Sequence, residues 1–382
     1  TVNGVRKNIL TQDMINDANT VYEIRYDFDL NGAKIKIKEG CTLLFTGGRI
    51  FSSVGDNSSC NIKYQNTLLM GEVNLGVAAE RSSKLANKEY CIDWFGINER
   101  TADDVNSMYD WSVAFIHLLK YGGTLYFTPN KKYYLHVRSI PDQQTTDSDN
   151  VYCKIQGNGA TIYFDNKTPS NYIWLSGTKN NNEKECASIE ISGLNWNGSL
   201  ANEGRKPVEG RNDTYALKLE SFVNVKIENC TVTDMYGTAF NISGSNQTPV
   251  NAIIQNNTLI NVGDCYGEGS SAGGVGIRLY KAQGIIANNY IHNNFLDGEI
   301  STDGNIHRRN WIGINCGENK AKNIIIENNN IYGYDRAIHL EVVSNTYPQT
   351  IRNNYISGCD IGIVIWNAGS CINIQQNTFM NT

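Results

Sequence analysis

The stretch that decides the fold reads Ile227-Glu-Asn229-Cys-Thr-Val232. The same phrase, Ile-x-Asn-x-x-apolar, begins again at residues 254, 286, 326, 351 and 374, with Gln376 replacing Asn in the last copy. The steps between copies range from 23 to 40 residues. A minimum step in the low twenties with variable excess indicates a stacked coil of fixed length that carries loops of different length.

Two further short segments complete each coil. One reads Gly/Ala-Ile-x-Leu/Ile, as in Gly276-Ile-Arg-Leu279 and Ala337-Ile-His-Leu340, and the other follows the Asn phrase, as in Tyr355-Ile-Ser. Strands this short cannot bury an apolar face alone, so they must stack on the next coil. The sequence therefore predicts an all-β fold, a right-handed single-stranded parallel β-helix with three short strands per coil.

The repeated Asn lies where the chain must turn sharply between two strands. Asn tolerates the left-handed backbone conformation that such a turn requires. We therefore interpret these residues as turn formers and expect their side chains to hydrogen-bond from coil to coil; they are Asn229, Asn256, Asn288, Asn328 and Asn353.

The chain divides into three predicted parts. Residues 1–90 form an N-terminal β-rich module, residues 91–123 a linker with a capping helix, and residues 124–382 the main β-helix. The helix is expected at roughly 106–120, where apolar residues follow a helical stripe that Gly122 and Gly123 end. The chain stops within a coil, so we expect either further C-terminal sequence or a partner that covers the last coil.

Composition excludes several classes of partner. The net charge is −5, which gives no electrostatic footprint for nucleic acid. The sequence contains no run of about 18 apolar residues, which is the length that would predict a membrane-spanning helix. The ten cysteines stand singly with no Cys-x-x-Cys pair, so we expect no zinc site, and Cys230, Cys359 and Cys371 are interpreted as small buried fillers. No cofactor is predicted; acidic loops offer oxygen ligands for Ca²⁺, but no ligand set stands out.

A family resemblance rests on several phrases. Asp110-Trp-Ser-Val-Ala-Phe, Gly122-Gly-Thr-Leu-Tyr-Phe-Thr-Pro129 and Ile191-Ser-Gly-Leu-Asn-Trp-Asn-Gly198 resemble the entry helix, first strand and an early coil of the pectate-lyase-like β-helix superfamily. Asn8-Ile-Leu-Thr-Gln-Asp-Met14 and Asp93-Trp-Phe-Gly96 are similar to tailspike-like β-helix proteins of gut Bacteroides and their phages. The resemblance implies a polysaccharide partner, a monomer or homotrimer, and a place at the cell surface, in the periplasm, outside the cell or on a virion.

This superfamily holds its ligand along the Gly-Ile-x-Leu strand. Alternation there turns Ile and Leu inward and the intervening side chains outward. The predicted outward columns are Lys218, Asn241, Arg278, Gly313, His339, Val364 and, beside it, Glu220, Ser243, Tyr280, Asn315, Glu341, Trp366. Long segments at 197–214, 264–271 and 295–309, the last containing Arg308, precede these strands and should form one wall of a groove.

Three functions fit such a groove. A glycoside hydrolase would use Glu341 with a second carboxylate from Asp335, Asp297, Glu299 or Asp303. A polysaccharide lyase would use Arg278, His339 and Lys218 as base and cations. A non-catalytic tailspike-like adhesin would only bind glycan, with Tyr280 and Trp366 as stacking platforms and Asn315, Lys218, Glu220 and Arg308 as polar contacts. A purely structural spacer would need no groove aromatics.

Overall fold

The computed structural model describes residues 8–54, 61–95, 112–135, 150–164, 173–179, 182–185, 187–198, 215–235, 237–245, 248–263, 274–294, 312–317, 321–341, 347–366 and 371–382. The chain divides into two compact units, Thr1–Thr128 and Pro129–Thr382. The division into 1–90, 91–123 and 124–382 that the sequence suggests remains a prediction.

Three parallel sheets build the second unit, and each coil contributes one strand to each sheet. Sheet 1 contains Val151–Gln156, Ala187–Ser192, Asn224–Glu228, Val250–Gln255, Ala282–Ala287, Ile324–Glu327, Gln349–Arg352 and Ile372–Gln375. Sheet 2 contains Lys132–Leu135, Thr161–Phe164, Asn195–Asn197, Thr231–Met235, Thr258–Val262, Tyr290–His292, Asn330–Tyr332, Tyr355–Ser357 and Thr378–Met380. Sheet 3 contains Ile173–Ser176, Tyr215–Glu220, Thr238–Ser243, Val275–Tyr280, Ile312–Gly317, Arg336–Glu341 and Ile361–Trp366. Thr178–Lys179 and Asn182–Glu185 form a small antiparallel pair.

This architecture confirms the predicted right-handed parallel β-helix. Inward residues of one coil lie directly over those of the next, as Ile227 pairs with Ile254 and Ile254 with Ile286. Their side chains are completely buried. Each coil therefore buries its apolar face against its neighbours rather than within itself.

The first unit is also built of short parallel strands. They are Asn8–Ile9, Val21–Ile24, Phe28–Asp29, Ile35–Ile37, Thr42–Phe45, Ile50–Phe51, Asn61–Gly71, Leu75–Gly76, Ala78–Ala79, Lys84–Leu85, Glu89–Cys91 and Gly123–Tyr126, with 3-10 turns at Gln12–Ile15 and Ile92–Phe95. The predicted helix is present at Ser112–Tyr121, and residues 106–111 of its predicted span lie outside the described ranges. Gly122 and Gly123 follow the helix with positive φ values of 69° and 99°.

The turn prediction is confirmed, but the expected hydrogen-bond ladder lies one residue further on. Asn229, Asn256, Asn288, Asn328 and Asn353 all have φ of 55° or 56°. The side chains that bond from coil to coil are those of the following residues, Asn257, Asn289, Asn329, Asn354 and Asn377. A residue in the left-handed turn directs its side chain away from the ladder, which leaves the buried position to its neighbour.

The side-chain amides of Asn289, Asn329 and Asn354 are fully satisfied. Asn329 Nδ2 donates to Ile286 O at 2.9 Å and to Asn354 Oδ1 at 3.0 Å. Its Oδ1 accepts hydrogen bonds from both the backbone N–H and the Nδ2 of Asn289 at 3.0 Å. Buried amides pay for their lost hydration only when all their groups find partners, and this geometry provides them.

Among the cysteines interpreted as buried fillers, two are as predicted. Cys230 takes the first ladder position, where its N–H donates to Asn257 Oδ1, and Cys359 is also buried. The interpretation is wrong for Cys371, which is exposed. Cys371 immediately precedes the strand Ile372–Gln375 of the last coil and is not an inward position of that strand.

We expect Asn329→Ala to lower the free energy of unfolding by about 3 kcal/mol, because it leaves buried donors of Asn289 and the Ile286 carbonyl unpaired. Urea denaturation measures the effect. The control is Asn224→Ala, which removes outward hydrogen bonds to Ser188 and Asn251 on the exposed face of sheet 1. Equal losses in the two variants would argue against a special role for the ladder.

In the first unit, His117 is buried among aromatic rings on the inner side of the helix. Its Nε2 accepts a hydrogen bond from the Leu85 N–H at 3.0 Å, and its ring centroid lies 4.7 Å from that of Tyr90 and 5.0 Å from that of Tyr121. Its Nδ1 has no partner among the described residues. Burial lowers the pKa of the imidazole to about 4.

This lowered pKa predicts acid sensitivity. The unfolded chain takes up a proton at His117 as the pH falls through about 6.5, whereas the folded chain does so only near pH 4. Folding should therefore lose up to about 3 kcal/mol as the pH falls across that window. Gln at position 117 can still accept the Leu85 hydrogen bond, so His117→Gln should flatten the pH dependence of urea denaturation. Parallel curves for the two proteins would contradict this assignment.

Candidate functional site

The outer face of sheet 3 carries two adjacent columns of side chains, set by the strand register. Column A consists of Trp174, Lys218, Asn241, Arg278, Asn315, His339 and Val364. Column B consists of Ser176, Glu220, Ser243, Tyr280, Gly317, Glu341 and Trp366. Neighbours in a column are separated by one strand spacing, about 4.8 Å.

One strand differs from its predicted register. Asn315 was predicted in the column of Tyr280 and Glu341, but it pairs with Arg278 and His339 in column A. Asn315 therefore takes the place in column A that was predicted for Gly313. Gly317 takes the place in column B that was predicted for Asn315. The reason is Cys316, which is buried between Leu279 and Leu340 and takes the inward position that leucine holds in neighbouring coils.

Lys218 and Glu220 are tied to each other at one end of the columns. Lys218 Nζ lies 3.0 Å from Glu220 Oε1 and 4.0 Å from the centre of the Trp174 ring. Both charged side chains are partly buried. This end of the face therefore presents a neutralised ion pair rather than an isolated cation.

Arg278, Tyr280 and Asn315 form a cluster that joins the two columns. Asn315 Nδ2 donates to the Tyr280 hydroxyl at 3.2 Å, and the guanidinium carbon of Arg278 lies 5.6 Å from the centre of the Tyr280 ring. The Nε of Arg278 and the Oδ1 of Asn315 are buried and have no partner among the described residues. Polar groups in this state are suited to a ligand that supplies the missing hydrogen bonds.

His339 lies one strand beyond Asn315 in column A. Its side chain is only 3% exposed, and neither ring nitrogen has a hydrogen-bond partner within the described part of the chain. Burial, and secondarily the positive charge of Arg336, lower the pKa of His339. The ring is therefore neutral at pH 7 and keeps a lone pair available.

Trp366 is the exposed aromatic residue of this face. Its ring is nearly parallel to that of His339, with an angle of 9° between the planes and 6.3 Å between the centroids. Its side chain is 54% exposed. A large open ring on a sheet face is a platform on which a flat, partly apolar ligand can stack.

The register places a glycine, Gly317, between Tyr280 and Glu341 in column B. A Cβ atom at this position would lie 2.5 Å from the carbonyl oxygen of Glu341. The flanking strands are therefore about 10 Å apart, with only backbone between them. Gly317 is itself buried, so its strand exposes little surface between these two side chains.

The two predicted acids do not come together. Asp335 precedes the strand that ends at Glu341, so they lie at opposite ends of it, about 20 Å apart at 3.3 Å per residue. Asp335 Oδ2 pairs with Arg336 Nε at 3.3 Å. The next coil brings Asp360 beside Asp335, since Ile361 N–H donates to Asp335 O at 2.8 Å. The sequence predictions did not include this pair of acids, or Arg336 beside His339.

Other predicted elements of the site cannot be placed. Arg308, Asp297, Glu299 and Asp303 lie outside the described residues, as do most of the segments predicted to wall the groove. Within the described ranges, no group of three or more His, Cys, Asp or Glu side chains is arranged to hold a metal ion. None of the helices in those ranges is long and apolar enough to cross a membrane.

Comparison with known proteins supports the fold and defines a broad class. Residues 208–382 match the family model described as the right handed beta helix region. Regions of this kind occur in polysaccharide-active enzymes and in adhesins. No curated protein matches the chain. The match lies within the second unit, whose three-sheet architecture is that of a right-handed parallel β-helix.

We expect the pKa of His339 to lie below the usual histidine range and to rise when Arg336 is replaced. Removing a positive charge near an imidazole stabilises its protonated form and so raises its pKa. NMR titration of the histidine ring protons in the wild type and in Arg336→Gln measures this change. The matched control is Arg352→Gln, whose ion pair with Glu327 lies on sheet 1. An unchanged pKa in Arg336→Gln would contradict the electrostatic contact.

Proposed function

We propose that the protein binds an acidic polysaccharide along the outer face of sheet 3 and cleaves it by β-elimination. The observation that carries the proposal is the row Arg278, Asn315 and His339, in which a neutral imidazole with two unpartnered nitrogens shares a column with an arginine. A polysaccharide lyase requires a base and a cation at such separations.

The chemistry assigns a role to each member of the row. A ring nitrogen of His339 takes the proton from C5 of a uronate residue. The released electron pair forms a C4=C5 double bond as the C4–O glycosidic bond breaks, and the leaving oxygen takes a proton from solvent. Arg278 neutralises the uronate carboxylate, which stabilises the negative charge that develops at C5 in the transition state.

Column B then supplies contacts for neighbouring sugar rings. Gly317 lies between Tyr280 and Glu341 in this column, with Trp366 one strand beyond Glu341. Aromatic rings can stack on the C–H faces of sugars, and the Glu341 carboxylate can accept hydrogen bonds from their hydroxyls. Lys218 and Glu220 would contact a longer chain at the far end of the face.

Elimination is preferred to hydrolysis at Glu341 because of carboxylate spacing. Hydrolases hold two carboxylates about 5 to 9.5 Å apart. The neighbouring acids Asp335 and Asp360 lie at the opposite end of their strands, about 20 Å from Glu341, and Asp335 is ion-paired with Arg336. Of the described acids on sheet 3, Glu220 is four strands from Glu341. A hydrolytic site at Glu341 would therefore depend on Asp297, Glu299 or Asp303.

A second candidate function is binding without cleavage, as in an adhesin. The burial of His339 favours it, because a base with 3% of its surface exposed is hard for a sugar to reach. Trp366 is exposed, and it could stack on a sugar ring in either a binding protein or an enzyme. The two candidates share the same face and differ in whether His339 meets the substrate.

The test is incubation with uronate-containing polysaccharides while reducing ends and the ultraviolet absorbance of the new double bond are recorded together. If the wild type cleaves, His339→Gln should lower kcat by about a hundredfold or more, since general-base catalysis contributes at least that much. Arg278→Gln should lower kcat/KM by about a hundredfold, because the carboxylate loses its counter-charge. Arg352→Gln is the control for loss of one surface arginine and should leave cleavage unchanged.

Each outcome separates the candidates. Reducing ends without new absorbance would mean hydrolysis and would overturn the assignment of His339 as base. Full elimination activity in His339→Gln would also overturn it. Retention on an immobilised acidic glycan with no cleavage would identify a binding protein.

A further inference from the structure

A second surface of unusual composition lies on sheet 2, away from columns A and B. It is formed by the outward side chains of three successive strands, Tyr290–His292, Asn330–Tyr332 and Tyr355–Ser357. The register pairs Tyr290 with Asn330 and Asn330 with Tyr355 in one row. His292, Tyr332 and Ser357 form the second row. We call these six side chains the aromatic face.

The rings of the aromatic face are packed against one another. The centroids of Tyr290 and His292 lie 3.6 Å apart with 21° between the planes, and those of His292 and Tyr332 lie 5.4 Å apart. His292 Nε2 also hydrogen-bonds to Asn330 Oδ1 at 2.9 Å. The Tyr332 ring lies over Gly358, where a Cβ atom would come within 2.6 Å of it. The face is therefore arranged before any ligand binds.

The aromatic face is open and carries no formal charge. Tyr290 is 41% exposed and Tyr355 is 43% exposed. The three strands contain no Asp, Glu, Lys or Arg. Burial lowers the pKa of His292, so its ring is neutral at pH 7. The exposed groups of the aromatic face are therefore aromatic rings bordered by hydroxyl and amide groups.

We propose that the aromatic face binds a neutral oligosaccharide, independently of sheet 3. Pyranose rings present apolar C–H faces that can stack on aromatic rings and hydroxyls that can bond to tyrosine, serine and asparagine at their edges. An acidic glycan or a nucleic acid would need cations, and these three strands supply none.

Size also favours a small ligand over a protein. Three strands about 4.8 Å apart, each with two outward residues, cover an area on the order of 100 Å². A stable protein interface buries about 800 Å² on each partner. A few sugar residues match the smaller area. They would contact side chains of the aromatic face that are already held in place by the ring contacts described above.

Affinity gel electrophoresis tests the proposal, with hydroxyethyl cellulose, xyloglucan or galactomannan dissolved in the gel as neutral probes. We expect at least one of them to retard the wild type. The double variant Tyr290→Ala/Tyr355→Ala should bind at least tenfold more weakly, equivalent to about 1.4 kcal/mol. The control Tyr26→Ala removes a tyrosine that is 66% exposed in the first unit and should keep wild-type retardation. Far-UV circular dichroism and Tm establish that the variants fold.

Three results would overturn the proposal. The first is that none of the neutral probes retards the wild type. The second is that the double variant is retarded as strongly as the wild type. The third is that the wild type self-associates, that the double variant does not, and that no glycan retards either protein. Polygalacturonate in the gel separates this surface from sheet 3. Retardation by polygalacturonate that the double variant keeps belongs to columns A and B, so failure of either surface can be recognised separately.

Discussion

The register between successive coils is the constraint on which the rest of this structure depends, and the buried asparagine ladder fixes it. Each inner ladder amide, as at Asn289, Asn329 and Asn354, accepts two hydrogen bonds from the coil before it and donates one to the coil after it. A strand slipped by one residue would turn this amide outward and leave those groups unpaired inside the core. Because the register is held in this way, a side chain at one position of a coil always stands about 4.8 Å from its counterpart in the next. The columns of sheet 3 and the rows of the aromatic face follow directly from that regularity.

The fold could be predicted from the sequence because the repeat combines two requirements in one phrase. The apolar positions mark the inward side chains, and the Asn after them marks a left-handed turn. The ladder was assigned to the wrong residue because most copies have two consecutive asparagines, as in Asn256-Asn257 and Asn288-Asn289. Either could be the buried one by composition. Only the end copies distinguish the two positions, since Cys230 and Asn377 occupy the ladder position where Asn229 and Gln376 form the turn.

The candidate site was predictable to the extent that it depends on alternation along a strand. Alternation placed Arg278, His339, Trp366 and Asn315 on the outer face of sheet 3, but Asn315 was assigned to the wrong column because the inward residue beside it is a cysteine. Alternation also does not predict how deeply an outward side chain is buried by its neighbours. His339 is buried although it lies on the outer side of its strand, and the charge beside it comes from Arg336, at the start of the same strand. Such properties arise from contacts between coils, and these contacts depend on side chains far apart in sequence.

The two proposed surfaces belong to the same coils, and this follows from how the chain passes from sheet 2 to sheet 3. Three residues separate Tyr332 from Arg336 and Ser357 from Ile361. Gly333 and Gly358 begin these turns with positive φ values of 79° and 58°. A Cβ atom at Gly333 would lie 2.0 Å from the carbonyl oxygen of Asn293, so a larger residue could not make the turn without displacing the neighbouring coil. A loop of variable length would uncouple the two faces, whereas these short glycine turns fix two of the three strands of the aromatic face beside the strands that carry His339 and Trp366. A polysaccharide that carries both uronate and neutral sugar residues, and that is long enough to pass around this corner, would contact both surfaces at once. The second contact would then gain from the high effective concentration set by the short turn.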